Sequence, residues 1–93
     1  MVPACAGREL ADNMIYVYLL KSIKNDWFYV GLSSDVHRRL KEHNDGHQKS
    51  TKFYKPFKLI YTKEFQTIAD ARDYEKYLKI SSNKEKLIKS LNI

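Results

Sequence analysis

Apolar and aromatic residues fill the segment from Met14 to Lys21, which reads MIYVYLLK. This β-branched and aromatic content predicts a β-strand. The period-two alternation of a strand places Tyr16 and Tyr18 on one face and Val17 and Leu19 on the other. Because both faces are apolar, we expect this strand to be covered on both sides.

A second strand is predicted from Trp27 to Gly31, after a loop of turn-forming residues at positions 22–26. It returns antiparallel to the first strand, with Tyr29 facing the opposite way from Val30. Gly31 permits a close approach, or a backbone conformation, that a Cβ atom would block.

A tight loop, residues 32–34, leads into a helix predicted from about Asp35 to Asp45. Ser34 or Asp35 can cap this helix, because a short side-chain oxygen there accepts an otherwise unpaired backbone N–H. Gly46 follows as a residue suited to ending it.

One side of this helix mixes aliphatic and polar residues. At about 100° per residue, the side with Val36 and Leu40 also carries Arg39, His43 and Asn44. The other side is polar and predicted to be solvated: Arg38, Lys41 and Glu42. A charged group bordering a buried stripe is costly unless it has a partner or a function. Arg39 and His43, stacked one turn apart, are therefore candidate site residues.

The second half of the chain is predicted to add one strand and two helices. The strand is Phe57 to Thr62, and Thr67 then opens a helix by a capping-box pattern. Its core-facing stripe follows the i, i+3, i+4, i+7 spacing: Ala71, Tyr74, Glu75 and Leu78. After a break at residues 81–83, residues 84–91 form a short basic helix. The order ββαβαα predicts an α+β fold, a three-stranded antiparallel sheet flanked by helices.

Length and composition are consistent with one small domain. The 43% hydrophobic and 13% aromatic content of these 93 residues argues against a disordered chain. We expect a flexible leader at residues 1–13, which lack periodicity, and a single domain at 14–93. The lone cysteine, Cys5, excludes an internal disulfide. No apolar run reaches about 18 residues and the N-terminus lacks a signal-peptide core, so we expect a cytoplasmic protein without a membrane segment.

The charge balance favours a polyanionic partner. Lys and Arg number 17 against 11 Asp and Glu, for a net charge of +6. Between Gly46 and Lys58 the chain has no acidic residue and four lysines: Lys49, Lys52, Lys55 and Lys58. This stretch, residues 46–58, is called the basic loop below and is a candidate nucleic-acid-binding loop.

Each candidate residue also has a purely structural interpretation. A strand tyrosine is usually a half-buried packing residue, and a lone histidine is more often a hydrogen-bonded core residue than a catalyst. Arg39 could cover apolar surface with its stem, and it could form a structural ion pair with Glu75. The basic loop could be solvated and idle. The functional interpretation gains support because these residues occur together on elements that a small sheet brings close to one another.

The ordered set of motifs resembles the GIY-YIG nuclease superfamily, and most closely its small stand-alone bacterial members. Tyr16-Val17-Tyr18 takes the place of Gly-Ile-Tyr, and Tyr29-Val30-Gly31 takes the place of Tyr-Ile-Gly eleven residues later. Arg39 stands where the family's helix carries its arginine, followed by His43-Asn44. The segment from Ala71 to Lys79 resembles the one with the family's metal-binding glutamate, here Glu75. The resemblance covers about Met14 to Leu91.

The resemblance implies a GIY-YIG-like fold and a metal-dependent DNA endonuclease. Glu75 would hold one Mg²⁺ or Mn²⁺, and Arg39 would pair with phosphate oxygens. Tyr18, with Tyr29 and His43 nearby, would position or deprotonate the attacking water. Whether Tyr18 or His43 takes the proton stays open.

DNA is the implied partner, bound through four lysines: Lys49, Lys52, Lys55 and Lys79. No small-molecule cofactor is implied, and the resemblance allows a structure-specific role in DNA repair or recombination. The alternative is a non-catalytic nucleic-acid-binding module that keeps the fold. We expect the five candidate catalytic side chains to point into one shared hollow: Tyr18, Tyr29, Arg39, His43 and Glu75.

Overall fold

The computed structural model describes residues 14–49 and 51–91. These form, in chain order, β1 (Ile15–Ser22), β2 (Phe28–Ser33), α1 (Val36–Asn44), β3 (Phe57–Phe65), α2 (Ile68–Lys79) and α3 (Ser81–Leu91). The predicted α+β class and ββαβαα order are confirmed. A short 3₁₀ helix, Lys52–Tyr54, lies in the basic loop and was not predicted. The predicted leader at residues 1–13 lies outside the described residues.

The three strands form one antiparallel sheet in the order β2-β1-β3, so β1 is central. Val17 and Leu19 of β1 pack on one face with residues of α2, including Ala71. Tyr18 packs on the other face with Val36 of α1. All three of these β1 residues are fully buried, which confirms that the first strand is covered on both sides. Within the described part of the chain, no helix has the length and apolar character needed to cross a membrane.

Local capping fixes where α1 begins and ends. The Asp35 carboxylate accepts a hydrogen bond from the Arg38 N–H at 3.1 Å, so of the two predicted caps the structure uses Asp35. After the last turn, Gly46 adopts φ +82°, a left-handed conformation that glycine tolerates best. Helix α1 therefore ends just after His43, whose side chain contacts Tyr18 of β1.

Three boundaries differ from the predictions by two or more residues, two of them because strand pairing extends the element. Strand β2 continues through residues 32 and 33, predicted as loop, which pair with β1. Strand β3 reaches Phe65, which pairs with Ile15. Helix α3 begins at Ser81, since only Ile80 is extended between α2 and α3. Serine and asparagine are poor in helix interiors but suit a first turn.

Four hydrogen bonds tie the C-terminal part of the basic loop to α1 and to the end of β1. Asn44 accepts a hydrogen bond from the Phe57 N–H at 2.6 Å and donates to the Phe57 carbonyl at 3.2 Å. The Ser22 hydroxyl donates to the Tyr54 carbonyl at 2.5 Å, and the Ile23 N–H donates to the Pro56 carbonyl at 2.9 Å. These bonds set the loop beside the α1 face of the sheet.

Candidate active site

Tyr18 occupies the centre of the sheet and depends on Gly31. The two residues are direct partners across β1 and β2. A Cβ atom on Gly31 would overlap the Cζ and hydroxyl atoms of the Tyr18 ring, which therefore leans across the outer strand β2. Gly31 is therefore needed for the close approach of the Tyr18 ring, the first of the two reasons given for a glycine at this position.

Aromatic rings surround the Tyr18 side chain on the α1 face. The ring centroid of Tyr29 lies 6.2 Å from that of Tyr18 and 4.7 Å from that of His43. Phe57 meets the His43 ring edge-on at 5.9 Å. Tyr18 and His43 are fully buried, so their polar atoms need partners within the protein.

A chain of hydrogen bonds supplies those partners. The Tyr18 hydroxyl lies 3.3 Å from His43 Nε2, and His43 Nδ1 lies 3.0 Å from Thr51 Oγ1. The Thr51 hydroxyl donates to the Gln48 carbonyl at 3.4 Å. With that donation, Thr51 Oγ1 is able to accept from His43 Nδ1–H, and His43 Nε2 to accept the Tyr18 proton. This tautomer gives every polar hydrogen of the chain an acceptor.

The surroundings favour neutral forms of both Tyr18 and His43. Burial lowers the pKa of His43, and the nearby Arg39 charge lowers it further, against a smaller opposing effect of Glu42. Burial also raises the pKa of Tyr18, opposed by Arg39 and reinforced by Glu75. A neutral imidazole at neutral pH is the state that accepts the Tyr18 hydroxyl.

Arg39 lies beside the Tyr18 hydroxyl and is restrained by Glu42. Interaction with the Tyr18 hydroxyl raises the pKa of Arg39, so the guanidinium remains charged. Arg39 donates to Glu42 at 2.8 Å, and Arg38 donates to the other Glu42 oxygen at 3.1 Å. The prediction that Glu42 is a solvated residue is wrong, because its side chain is only 25% exposed and pairs with both arginines. Its half-buried carboxylate orients Arg39.

Glu75 comes from the other face of the sheet, because α2 packs opposite α1. Whether its carboxylate shares one hollow with the other four side chains is not settled by the packing of the helix, so that expectation stays a prediction. Its carboxylate nevertheless raises the pKa of Tyr18 and so lies within electrostatic reach of that hydroxyl. Glu75 is 21% exposed and pairs with Lys79 at 3.5 Å. The structural ion pair with Arg39 is not formed, since Arg39 pairs with Glu42.

The lysines of the basic loop are exposed. The side chains at positions 49, 52, 55 and 58 all face solvent, and among the described residues none of them lies within salt-bridge distance of a carboxylate. Thr51, between Lys49 and Lys52, is buried against His43. The basic loop thus borders the Tyr18–His43 pair. Lys79 lies on α2 instead, beside Glu75.

Thr51 and Glu42 were missed as site residues by the sequence reasoning. Thr51 lies in an irregular loop, where no periodicity indicates which side chain turns inward. Glu42 lies on the polar side of the helical wheel, and only its spacing of three and four residues from Arg39 and Arg38 indicated an ion pair.

Residues 14–89 match the family model described as the GIY-YIG catalytic domain. The chain belongs to the GIY-YIG family. The match takes in both tyrosine motifs, α1 with Arg39 and His43, and α2 with Glu75. The resemblance noted from the motifs is thereby confirmed.

Small bacterial proteins of similar length resemble this chain. It is 39% identical to the UPF0213 protein YazA of Bacillus subtilis, covering 83% of this chain and 78% of that protein. It is 36% identical to a UPF0213 protein of Clostridium perfringens, covering 80% of each. The solution NMR structure of a UPF0213 protein from Bacillus halodurans matches with a TM-score of 0.51 and 34% identity, covering 84% of both chains.

Proposed function

We propose that this protein is a metal-dependent DNA endonuclease that hydrolyses phosphodiester bonds. The observation that carries the proposal is the buried hydrogen-bonded pair of Tyr18 and neutral His43 with the Arg39 guanidinium beside it. This arrangement offers a proton acceptor next to a fixed positive charge. Hydrolysis of a phosphodiester needs both, since a water must lose a proton and the phosphorus centre gains negative charge.

In the proposed reaction His43 is the final proton acceptor and Tyr18 passes the proton on. As a water attacks phosphorus, its proton moves to the Tyr18 oxygen and the Tyr18 proton moves to His43 Nε2. Direct deprotonation by Tyr18 alone is disfavoured, because its raised pKa makes the phenolate costly. The hydrogen bond from His43 to Thr51 holds the tautomer in which Nε2 is free to accept.

Arg39 binds the substrate phosphate in this proposal. Its planar fork can pair with two non-bridging oxygens, and their negative charge increases in the transition state. The pairing with Glu42 holds the guanidinium in place before substrate arrives. Tyr18 is fully buried, so the attacking water reaches it only when a neighbour moves. Arg39, which lies beside the Tyr18 hydroxyl and has 27% of its side chain exposed, is a neighbour whose movement would admit water.

The donor set fits one hydrated divalent cation. Glu75 offers a half-buried carboxylate whose partner, Lys79, is 58% exposed and weakly held. Among the residues described, no cluster of three or more His, Cys, Asp and Glu side chains forms a protein-only metal cage. Mg²⁺ keeps several waters and needs only one or two carboxylates beside substrate phosphates. Held by Glu75, Mg²⁺ or Mn²⁺ would supply positive charge for the leaving oxygen.

DNA binding is proposed to rest on phosphate contacts by the basic loop. If its four lysines neutralise four phosphates, affinity for duplex DNA falls roughly 100-fold between 50 and 200 mM salt. The Lys49→Ala/Lys52→Ala double variant should reduce the salt slope by about two, measured by fluorescence anisotropy. Lys63→Ala, on β3, serves as a charge control and should leave the slope unchanged. Affinity that hardly varies with salt would contradict phosphate-dominated binding.

Thr51 is proposed as a positioning residue for His43. Thr51→Val keeps the shape but removes the acceptor for Nδ1–H, so the imidazole proton shifts to Nε2 and no longer accepts from Tyr18. We expect cleavage to fall by about tenfold or more, with a change of His43 tautomer visible in ¹⁵N NMR. Thr51→Ser should restore both. An unchanged tautomer in the valine variant would contradict this role.

A non-catalytic DNA-binding module is the second candidate function. The full burial of Tyr18 and His43 favours it, because a permanently closed pair would serve only as core. Incubation of the protein with branched, flapped and linear DNA, with and without Mg²⁺, separates the two. Cleavage of any of these that requires Mg²⁺ supports the endonuclease, and its pattern tests a structure-specific role in repair or recombination. Binding without cleavage of any substrate supports the module.

A further inference from the structure

Phe53 is the most exposed large apolar side chain among the described residues, at 73%. It lies in the 3₁₀ helix at the tip of the basic loop. Its neighbours are packed: Thr51 is buried against His43, and the Tyr54 ring stacks on Trp27 with centroids 4.0 Å apart and planes at 10°. The loop thus packs one aromatic side chain, which is partly buried, and leaves the adjacent one in solvent.

The backbone on either side holds Phe53 in this exposed position. The Tyr54 N–H donates to the Thr51 carbonyl at 2.9 Å, closing the turn, and the Tyr54 carbonyl accepts from Ser22 at 2.5 Å. These bonds fix the backbone that carries Phe53, so that binding a flat partner has to order only the side-chain torsions of the ring. The turn is therefore preorganised to present the ring.

The charge around the ring is uniformly positive. Lys52 places its ammonium 5.7 Å from the Phe53 ring centroid, and residues 46–58 contain no acid. An aromatic ring among exposed lysines is complementary to a strand of nucleic acid, whose bases stack while its phosphates pair with ammonium groups. A purely apolar protein partner would have to desolvate those lysines.

The ring also lies near the proposed active site. Phe53 lies two positions after Thr51, which limits the distance between their Cα atoms to about 7 Å. Since Thr51 contacts His43, the ring is within a few nucleotides of a phosphate bound at Arg39, given about 3.4 Å per stacked nucleotide.

We propose that Phe53 stacks on an unpaired DNA base close to the scissile phosphate. A base face is available only where the base is unpaired or flipped, so the preferred substrate class is DNA with a single-stranded segment or end beside the cut. This inference rests on the proposed DNA-cleaving function and adds its substrate class. Stacking carries no hydrogen-bond readout, so the preference is for structure and not for sequence.

The test compares Phe53 variants on two DNAs that differ only in an unpaired segment. Phe53→Ala should lower affinity for the partly unpaired DNA by about 5- to 100-fold and leave duplex affinity unchanged. Phe53→Leu should behave like the alanine variant, whereas Phe53→Tyr should retain binding. In the wild type, 2-aminopurine in the unpaired segment should be quenched on binding. Ile80→Ala, at another exposed apolar side chain, should change neither affinity.

The outcomes separate this inference from the proposed function. If the wild type binds both DNAs and Phe53→Ala binds them equally well, stacking is wrong while DNA binding stands. An equal loss of affinity for both DNAs, or wild-type affinity of Phe53→Leu for the partly unpaired DNA, also overturns stacking. A Phe53-dependent change in oligomeric state without DNA would assign the ring to a contact between copies instead. If the wild type binds neither DNA, the proposed function and this inference both fail.

Discussion

Replacing Tyr18 with phenylalanine is expected to reduce DNA cleavage about 10²- to 10⁴-fold and to leave DNA affinity unchanged. The hydroxyl is the only group on Tyr18 that can pass a proton to His43, and general acid–base contributions have this size. The variant also leaves His43 Nε2 without its partner, at a cost of about 1–3 kcal/mol in the free energy of unfolding. Single-turnover cleavage and thermal unfolding of the same preparation measure the two effects separately.

Tyr16→Phe is the matched control for this variant. Tyr16 lies on the same strand and face, two residues away, and only partly buried. Its hydroxyl is not part of the chain through His43, so cleavage should remain at the wild-type rate. A Tyr18→Phe variant that retained cleavage within threefold of the wild type would exclude the proton transfer proposed here.

If the Glu75 carboxylate holds the cation, replacing it with alanine is expected to reduce the rate of Mg²⁺-dependent cleavage about 10²- to 10⁴-fold. DNA binding should be nearly intact, and the free energy of unfolding should change by less than about 1 kcal/mol. The reason is that the pairing with the exposed Lys79 at 3.5 Å, four residues along a helix, is a weak one. Cleavage, anisotropy and thermal melts of one variant test all three statements.

A structural role for Glu75 predicts the reverse pattern. If the Glu75 side chain stabilised the fold, its removal would clearly lower the free energy of unfolding, with no activity to lose. Asp73→Ala controls for the loss of an acidic side chain, because Asp73 is exposed on the same helix. It should match the wild type in cleavage and stability. A strongly destabilised Glu75→Ala variant would exclude the metal-ligand assignment.

Most of the fold was predictable because its signals are local. The aromatic and β-branched run of β1 and the i, i+3, i+4, i+7 stripe of α2 each define an element within its own residues. Asp35 and Thr67 cap their helices as short side chains at those positions do. Element ends were less predictable, since residues 32 and 33 become strand only by pairing with β1.

The candidate site was predictable in part. Strand and helix periodicity predicted the face of each residue on its own element, and the spacing of Tyr18, Tyr29, Arg39 and His43 matched the resemblance to the GIY-YIG superfamily. The structure brings these four together on one face. The position of α2 on the opposite face was not predictable, because an amphipathic stripe does not say which side of a sheet it covers.

The role of Thr51 depends on a contact between residues eight positions apart in an irregular loop. No repeating pattern connects it to His43, and only the folded loop assigns the direction of the hydrogen bonds. Phe53 illustrates the converse, since its sequence neighbour Tyr54 is also aromatic and packs on Trp27. Which of two adjacent aromatic side chains is exposed is decided by the turn that carries them.

The most direct test of the endonuclease assignment is single-turnover cleavage of a flapped, end-labelled DNA by the wild type and Glu75→Ala, purified in parallel. We predict cleavage by the wild type in Mg²⁺ or Mn²⁺, loss of cleavage on chelation, and none by Glu75→Ala despite equal DNA binding. Wild-type protein that binds the DNA but leaves it intact in both metals would contradict the assignment. Equal cleavage by both proteins would contradict it as well, because the activity would not depend on this site.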